Sequence, residues 1–293
     1  MSSRHAGRKT DNHGKVYLIG AGPGAADLIT VRGARILAQA EVVLHDALVT
    51  EELLQLCPQA VKIFVGKRSG QRSTAQTLIN RLLVDCAKKY QLVVRLKGGD
   101  PMLFGRADEE LRALETEGIE VEIVPGITAA LAAAASARQP LTKRGIARSV
   151  ALFTSSTAPN HPDQVTLPDC DTLVQYMGGK EAIKTAQRLL SQGRSSDTPV
   201  VVVENCSLEN ERILHLRLSE LEQGLAQCTG PVLMMIGDAL APRAMPSEPT
   251  LTPQHPPTVG SATNGSAQLT AGDVTEGNAR PTLQPTGLHE CGD

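Results

Sequence analysis

Short runs of aliphatic and β-branched residues recur through residues 15–240, and between them apolar residues return every three or four positions. In the first half the runs are Val16–Gly20 (VYLIG), Val42–Leu44, Val61–Val65, Leu92–Leu96 (LVVRL) and Val121–Val124. Strands that are apolar at consecutive positions are buried on both faces, and a strand–helix–strand order joins them in parallel. Helical spacing covers Asp27–Ala40, with Asp27 as the expected N-cap, then Thr74–Lys89, and a helix that ends over Leu111–Glu117. The alternation predicts an α/β fold built on a largely parallel sheet.

A second series begins near Ser149, with strands in SVALFT, DTLVQYM, PVVVVEN, RILHLRL and PVLMMIG. A helix is expected over Lys180–Gln192, ended by Gly193. The expected architecture is therefore two α/β domains with an interdomain cleft. Residues 1–14 read as a flexible leader, 15–137 as the N-terminal domain, 138–148 as a linker and 149–241 as the C-terminal domain. Residues 242–293 hold 8 of the 18 prolines and no Ile, Lys or aromatic residue, too little apolar surface to offset chain entropy, so they read as a disordered tail.

Composition removes several function classes. Three Phe, three Tyr and no Trp in 293 residues leave little for base-stacking platforms or aromatic cages. A net charge of −2 excludes a uniformly basic nucleic-acid binder. No apolar run approaches the ~20 residues of a membrane span, and the polar N-terminus lacks the apolar stretch of a secretory signal. The six cysteines are scattered without a C-x-x-C pair, which argues against a metal site or disulfide framework and for buried thiols in a reducing cytoplasm.

Three glycine-containing loops follow strands, where open α/β sheets bind ligands. The first, Gly20-Ala-Gly22-Pro23-Gly24-Ala25, fits G-x-G-x-x-G/A. Alone it permits a dinucleotide site with Glu41 or Asp46 on a ribose, a tight strand–helix turn, or a different ligand. The second, RLKGGDPMLFGR from Arg95 to Arg106, has no counterpart in dinucleotide folds. The third, Pro125-Gly-Ile-Thr-Ala-Ala130, opens a helix of small residues.

Taken with VGKR, PLTKRG, YMGG and VVVEN, these motifs resemble the tetrapyrrole methylase family, over about Val16 to Leu240. The resemblance implies methylation of C2 and C7 of uroporphyrinogen III to precorrin-2, for sirohaem or cobalamin biosynthesis. It also implies S-adenosyl-L-methionine as methyl donor, no metal, and a homodimer in the cytoplasm without nucleic-acid or membrane partners. Carried over by motif, Asp46 would accept a proton, Lys67 would donate one, and Arg106 would lie near the substrate to assist deprotonation or hold a carboxylate. Pro23, Gly98, Gly99, Asp100, Leu103, Thr128, Ala129, Met177 and Cys206 would contact the donor, with Asp100 on its methionyl or ribose portion.

The substrate's carboxylates call for cations, and two acid-free stretches supply them: Lys62, Lys67, Arg68 and Arg72, then Arg138, Lys143, Arg144 and Arg148. The chain departs from the family pattern at Cys206, at Ala107-Asp108, at Lys143 and at Ser155-Ser156, where His161 is a candidate to compensate. The competing expectations are a later precorrin methyltransferase, an NAD(P)-dependent oxidoreductase using only the first loop, and a non-catalytic ligand-binding module.

Overall fold

The structure is a computed structural model that describes residues 13–66, 76–155 and 166–242. Five strands form a first sheet: β1 (Lys15–Gly20), β2 (Val42–His45), β3 (Val61–Phe64), β4 (Leu92–Lys97) and β5 (Val121–Val124). Their order is β3-β2-β4-β1-β5 and every pairing is parallel. Period-two alternation divides their side chains between two faces. Val16, Leu18, Val42, Leu44 and Val93 pack under α3 (Gln76–Lys89) and α4 (Ala107–Thr116). Ile19, Val43, Val94 and Leu96 face α1 (Val31–Leu37) and the short α2 (Glu51–Leu54).

Asp27 is not the cap of α1. It lies exposed in a 3₁₀ turn, Ala26–Leu28, and the helix starts at Val31. Thr30 is extended there and its hydroxyl accepts from the Gly33 amide at 3.1 Å. Helix α4 begins at Ala107, four residues ahead of the stretch read as its end. Gly14, expected in the leader, is buried and donates to the Ala87 carbonyl at 2.8 Å. The remainder of the leader (1–12) and residues 243–293 of the tail lie outside the described residues.

The second sheet contains β6 (Val150–Thr154), β7 (Thr172–Tyr176), β8 (Pro199–Glu204), β9 (Arg212–Arg217) and β10 (Val232–Ile236) in the order β6-β7-β10-β8-β9. Only β6 and β7 run parallel; β7–β10, β10–β8 and β8–β9 are antiparallel. One face packs on α6 (Ala182–Ser191) and on the 3₁₀ stretch Leu218–Gln223. Gly193, at φ 87°, follows α6 as expected. The other face receives α5 (Ala129–Ser136). α5 follows the last strand of the first sheet, yet Ala130 and Ala133 bury against Val174, Val201, Leu233 and Met235. This helix, apolar except for its terminal Ser136, thus ties both sheets into one compact unit.

Candidate functional site

The loops after β1, β4 and β5 meet through backbone. Gly22 and Gly99 exchange hydrogen bonds, N to O at 3.2 Å one way and 2.7 Å the other. A Cβ on Gly126 would stand 2.3 Å from the Gly99 carbonyl oxygen, and one on Gly20 2.5 Å from the Gly126 Cα. No side chain fits at either position. Gly99 adopts φ 69°, and a Cβ there would meet nothing within 4 Å, so its outer face is open to a ligand.

Asp100 locks the second loop to the third. Its Oδ2 accepts from the Gly126 amide at 2.9 Å and its Oδ1 from the Met102 amide at 2.8 Å. Each oxygen retains one lone-pair site for a ligand donor. Gly98 is equally confined: a Cβ would lie 2.7 Å from Leu48 Cβ.

The second sheet closes on these loops. At the end of β7, Tyr176 Oη lies 2.5 Å from Thr128 Oγ1 and accepts from the Ala130 amide at 3.1 Å. The Tyr176 ring meets the Phe104 ring with centroids 5.0 Å apart. Met177 follows with φ 56° and is 53% exposed, so its side chain does not serve as core packing. At the end of β8, buried Cys206 sets its Sγ 4.0 Å from the Ala129 carbonyl. Burial, with Glu211 adding to it, pushes this thiol up to about 12. The Ser207 hydroxyl accepts from the Ala25 amide at 3.0 Å, seating the first loop on this turn. Pro23 and Leu103, both half-buried, complete the set of expected donor contacts.

Asp46 stands just past β2, beside the second loop. Its Oδ2 accepts from the Gly98 amide at 3.3 Å, its Oδ1 from Leu48 N at 3.0 Å, and Arg95 Nη2 lies 4.0 Å away. Neighbouring His45 is held below the usual histidine range by burial. Arg106, at φ 55°, folds back on its own helix: Nε and Nη2 reach the two Glu109 oxygens at 2.7 and 2.8 Å. That bond raises its guanidinium further. Lys67, Arg68, Arg72, Ser156 and His161 lie outside the described residues. Arg138, Arg144 and Arg148 are exposed between α5 and β6, Lys143 is half-buried there, and Lys62 is exposed on β3. Lys143 and Ala147 bond reciprocally at 2.8 Å, which raises Arg144 at the tip of a tight turn.

Beneath the second loop lies a buried ionic cluster that motif reading missed. Arg95 Nε bonds Glu110 Oε1 at 3.1 Å, and Lys97 Nζ bonds Glu110 Oε2 at 2.9 Å and also the Gly105 carbonyl. All three side chains are at most 5% exposed. Burial, reinforced by Arg95, holds the Lys97 ammonium below the usual lysine range. The signal was present in the sequence: Arg95 and Lys97 share one face of an apolar strand, and two buried cations require an acid.

Of the cysteines read as buried, Cys57, Cys86 and Cys206 are; Cys170 and Cys228 are only half-buried, and Cys291 lies outside the described residues. Among the described residues no helix is long and apolar enough to cross a membrane.

Residues 15–222 match the family of Tetrapyrrole (Corrin/Porphyrin) Methylases. The chain belongs to this family. Among tetrapyrrole methylases it is 44% identical, over 229 residues, to the uroporphyrinogen-III C-methyltransferase of Pseudomonas aeruginosa, covering 77% of this chain and 94% of that one. It is also 44% identical to the siroheme synthase of Zymomonas mobilis, with 77% of this chain and 49% of the relative covered. The chain spans about half the length of such siroheme synthases. Among solved structures, the uroporphyrin-III C-methyl transferase from Thermus thermophilus complexed with S-adenyl homocysteine has TM-score 0.67 and 38% identity, over 78% of this chain and 94% of that one. A cobalt precorrin-4 methyltransferase gives TM-score 0.68 at 30% identity, over 82% of this chain and all of that one. The α/β architecture with two sheets is that of these methyltransferases.

Family membership removes the oxidoreductase expectation, and the structure supplies the reason. The first loop runs into a 3₁₀ turn, and α1 begins seven residues beyond Gly24, so no long helix N-terminus faces the loop.

Proposed function

We propose that this tetrapyrrole methylase is a uroporphyrinogen-III C-methyltransferase that uses S-adenosyl-L-methionine and methylates C2 and C7 in succession to give precorrin-2. The observation that carries the reading is the 44% identity extending along 94% of the Pseudomonas aeruginosa enzyme. Precorrin-2 would feed sirohaem or cobalamin-type synthesis in the cytoplasm, and the working unit would be a homodimer. In this reading residues 15–137 and 149–241 act as two domains joined by 138–148, with the ligands in the cleft between them.

The residues suit the donor. In the glycine cradle Gly20 and Gly126 admit no added Cβ, while the outer face of Gly99 is open. Gly98, Gly99, Asp100, Thr128 and Ala129 would hold the donor mainly through backbone groups, with Pro23, Leu103, Met177 and Cys206 giving close apolar contact. S-adenosyl-L-methionine supplies, when bound, a methyl group on a positively charged sulfur.

Every other task falls to the chain. The loops must hold a pyrrole carbon in line with that methyl group, and orientation of this kind supplies much of the rate. Once the carbon–carbon bond has formed, a proton must leave the macrocycle. Asp46 would take it, its two backbone donors and Arg95 fixing its direction. Lys67 would return a proton. Arg106 would exchange its Glu109 partner for a substrate carboxylate, while Lys62, Arg68, Arg72, Arg138, Lys143, Arg144 and Arg148 offer further anchors at about 1.5–3 kcal/mol per charge-assisted bond.

Paired anaerobic incubations with the donor test the reading. One contains uroporphyrinogen III, the other precorrin-2, which already carries both methyl groups. Methylation of the first alone is expected; methylation of the second alone would assign the chain to a later step.

A further inference from the structure

Three of the site's loops meet at a single side chain that belongs to none of the expected contacts. Thr128 occupies the N-cap of α5 in extended backbone, yet its hydroxyl bonds none of the helix's amides. A helix start leaves its first amides without partners, and the N-cap side chain ordinarily takes one of them. Here the acceptor is Tyr176 Oη, 46 residues along the chain on β7, at 3.1 Å from Ala130 N. The same oxygen is 2.5 Å from Thr128 Oγ1.

The ring of Tyr176 also meets Phe104 of the second loop, tilted by 55°. Phe104 holds φ 51° and Met177 φ 56°, left-handed conformations that non-glycine residues keep only where their surroundings enforce them. Burial keeps the Tyr176 phenol above the usual tyrosine range, so the oxygen stays protonated and can both accept and donate. Asp46 is held separately, by the Gly98 and Leu48 amides.

We propose that Tyr176 is the positioning residue of the methyl-donor site: it caps α5 and backs Phe104, and so fixes the second loop, the third loop and Met177 in the spacing that binds the donor. This rests on reading those loops as the donor site. Its effect falls on donor affinity, because the proton-accepting carboxylate has its own supports.

Tyr176→Phe deletes one oxygen and keeps the ring on Phe104. Calorimetry with S-adenosylhomocysteine should show Kd raised about tenfold, the scale of one lost bond to a buried amide. Donor KM should rise in parallel, with kcat at saturating donor and acceptor KM close to wild type. Unchanged donor Kd in Tyr176→Phe would overturn the proposal. So would a fall in kcat with donor KM unchanged, or equal losses in donor and acceptor affinity, the pattern of a generally loosened fold. Wild-type protein that binds no S-adenosylhomocysteine would overturn the donor-site reading itself, and with it this role.

Discussion

Asp46 illustrates how a single carboxylate is given direction. Two backbone amides and a guanidinium surround it at the mouth of the second loop. Asp46→Asn preserves the size and one acceptor but cannot take a proton. Its kcat should fall about a hundredfold, within the range for a lost general base, with donor affinity close to wild type. Steady-state kinetics beside donor calorimetry separates the two quantities. Cys206 yields a prediction about pH. Its folded thiol titrates at about 12 against an ordinary value near 9.0. Between those values the unfolded chain has released a proton that the folded chain keeps. Stability therefore falls as pH rises through that window, and is unaffected below it. Thermal melts from pH 8 to 11 should show a shallower alkaline decline for Cys206→Ala than for wild type. A decline equal in both proteins would contradict the burial assigned to this thiol.

Among the elements, the strands of the first sheet were legible because burial on both faces writes consecutive Val, Ile and Leu into the chain. Their parallel pairing followed from the helices between them. The antiparallel pairing of β7, β10, β8 and β9 was not legible, since periodicity records which faces are buried and not which way a neighbour runs. Asp27 and Thr30 both have cap chemistry, and the 3₁₀ turn at Ala26–Leu28 decides between them. Helix α2, four residues long, is too short to show a period. The Arg95–Glu110–Lys97 cluster and the Tyr176 contact join residues 13 to 48 positions apart, a separation that motif spacing does not carry. The glycine loops were legible as turns that follow strands, but their mutual backbone contact was not. That contact predicts that Gly126→Ala, whose Cβ would press on the Gly99 carbonyl, destabilises the fold by about 1–3 kcal/mol, as overpacking does. Donor binding should be lost with it. Denaturant melts and donor calorimetry check both, and an alanine accepted at full affinity would mean that the loops sit further apart.

At the scale of the molecule, two sheets with different pairing rules are joined by α5, whose small residues belong to one sheet by sequence and to the other by packing. The arrangement brings loops from β1, β4, β5, β7 and β8 to one place, and this convergence supports the assignment of a methyl donor there. Similarity at the level of fold does not choose the acceptor, because TM-scores of 0.67 and 0.68 belong to enzymes named for different tetrapyrroles. The acceptor rests on the extent of the Pseudomonas aeruginosa match and on the cations of residues 62–72 and 138–148. Mass spectrometry of the tetrapyrrole after anaerobic incubation with excess S-adenosyl-L-methionine and uroporphyrinogen III decides the matter. A one-methyl intermediate that gives way to a two-methyl product is expected. Unmodified uroporphyrinogen III, in the presence of protein shown to bind the donor, would contradict it.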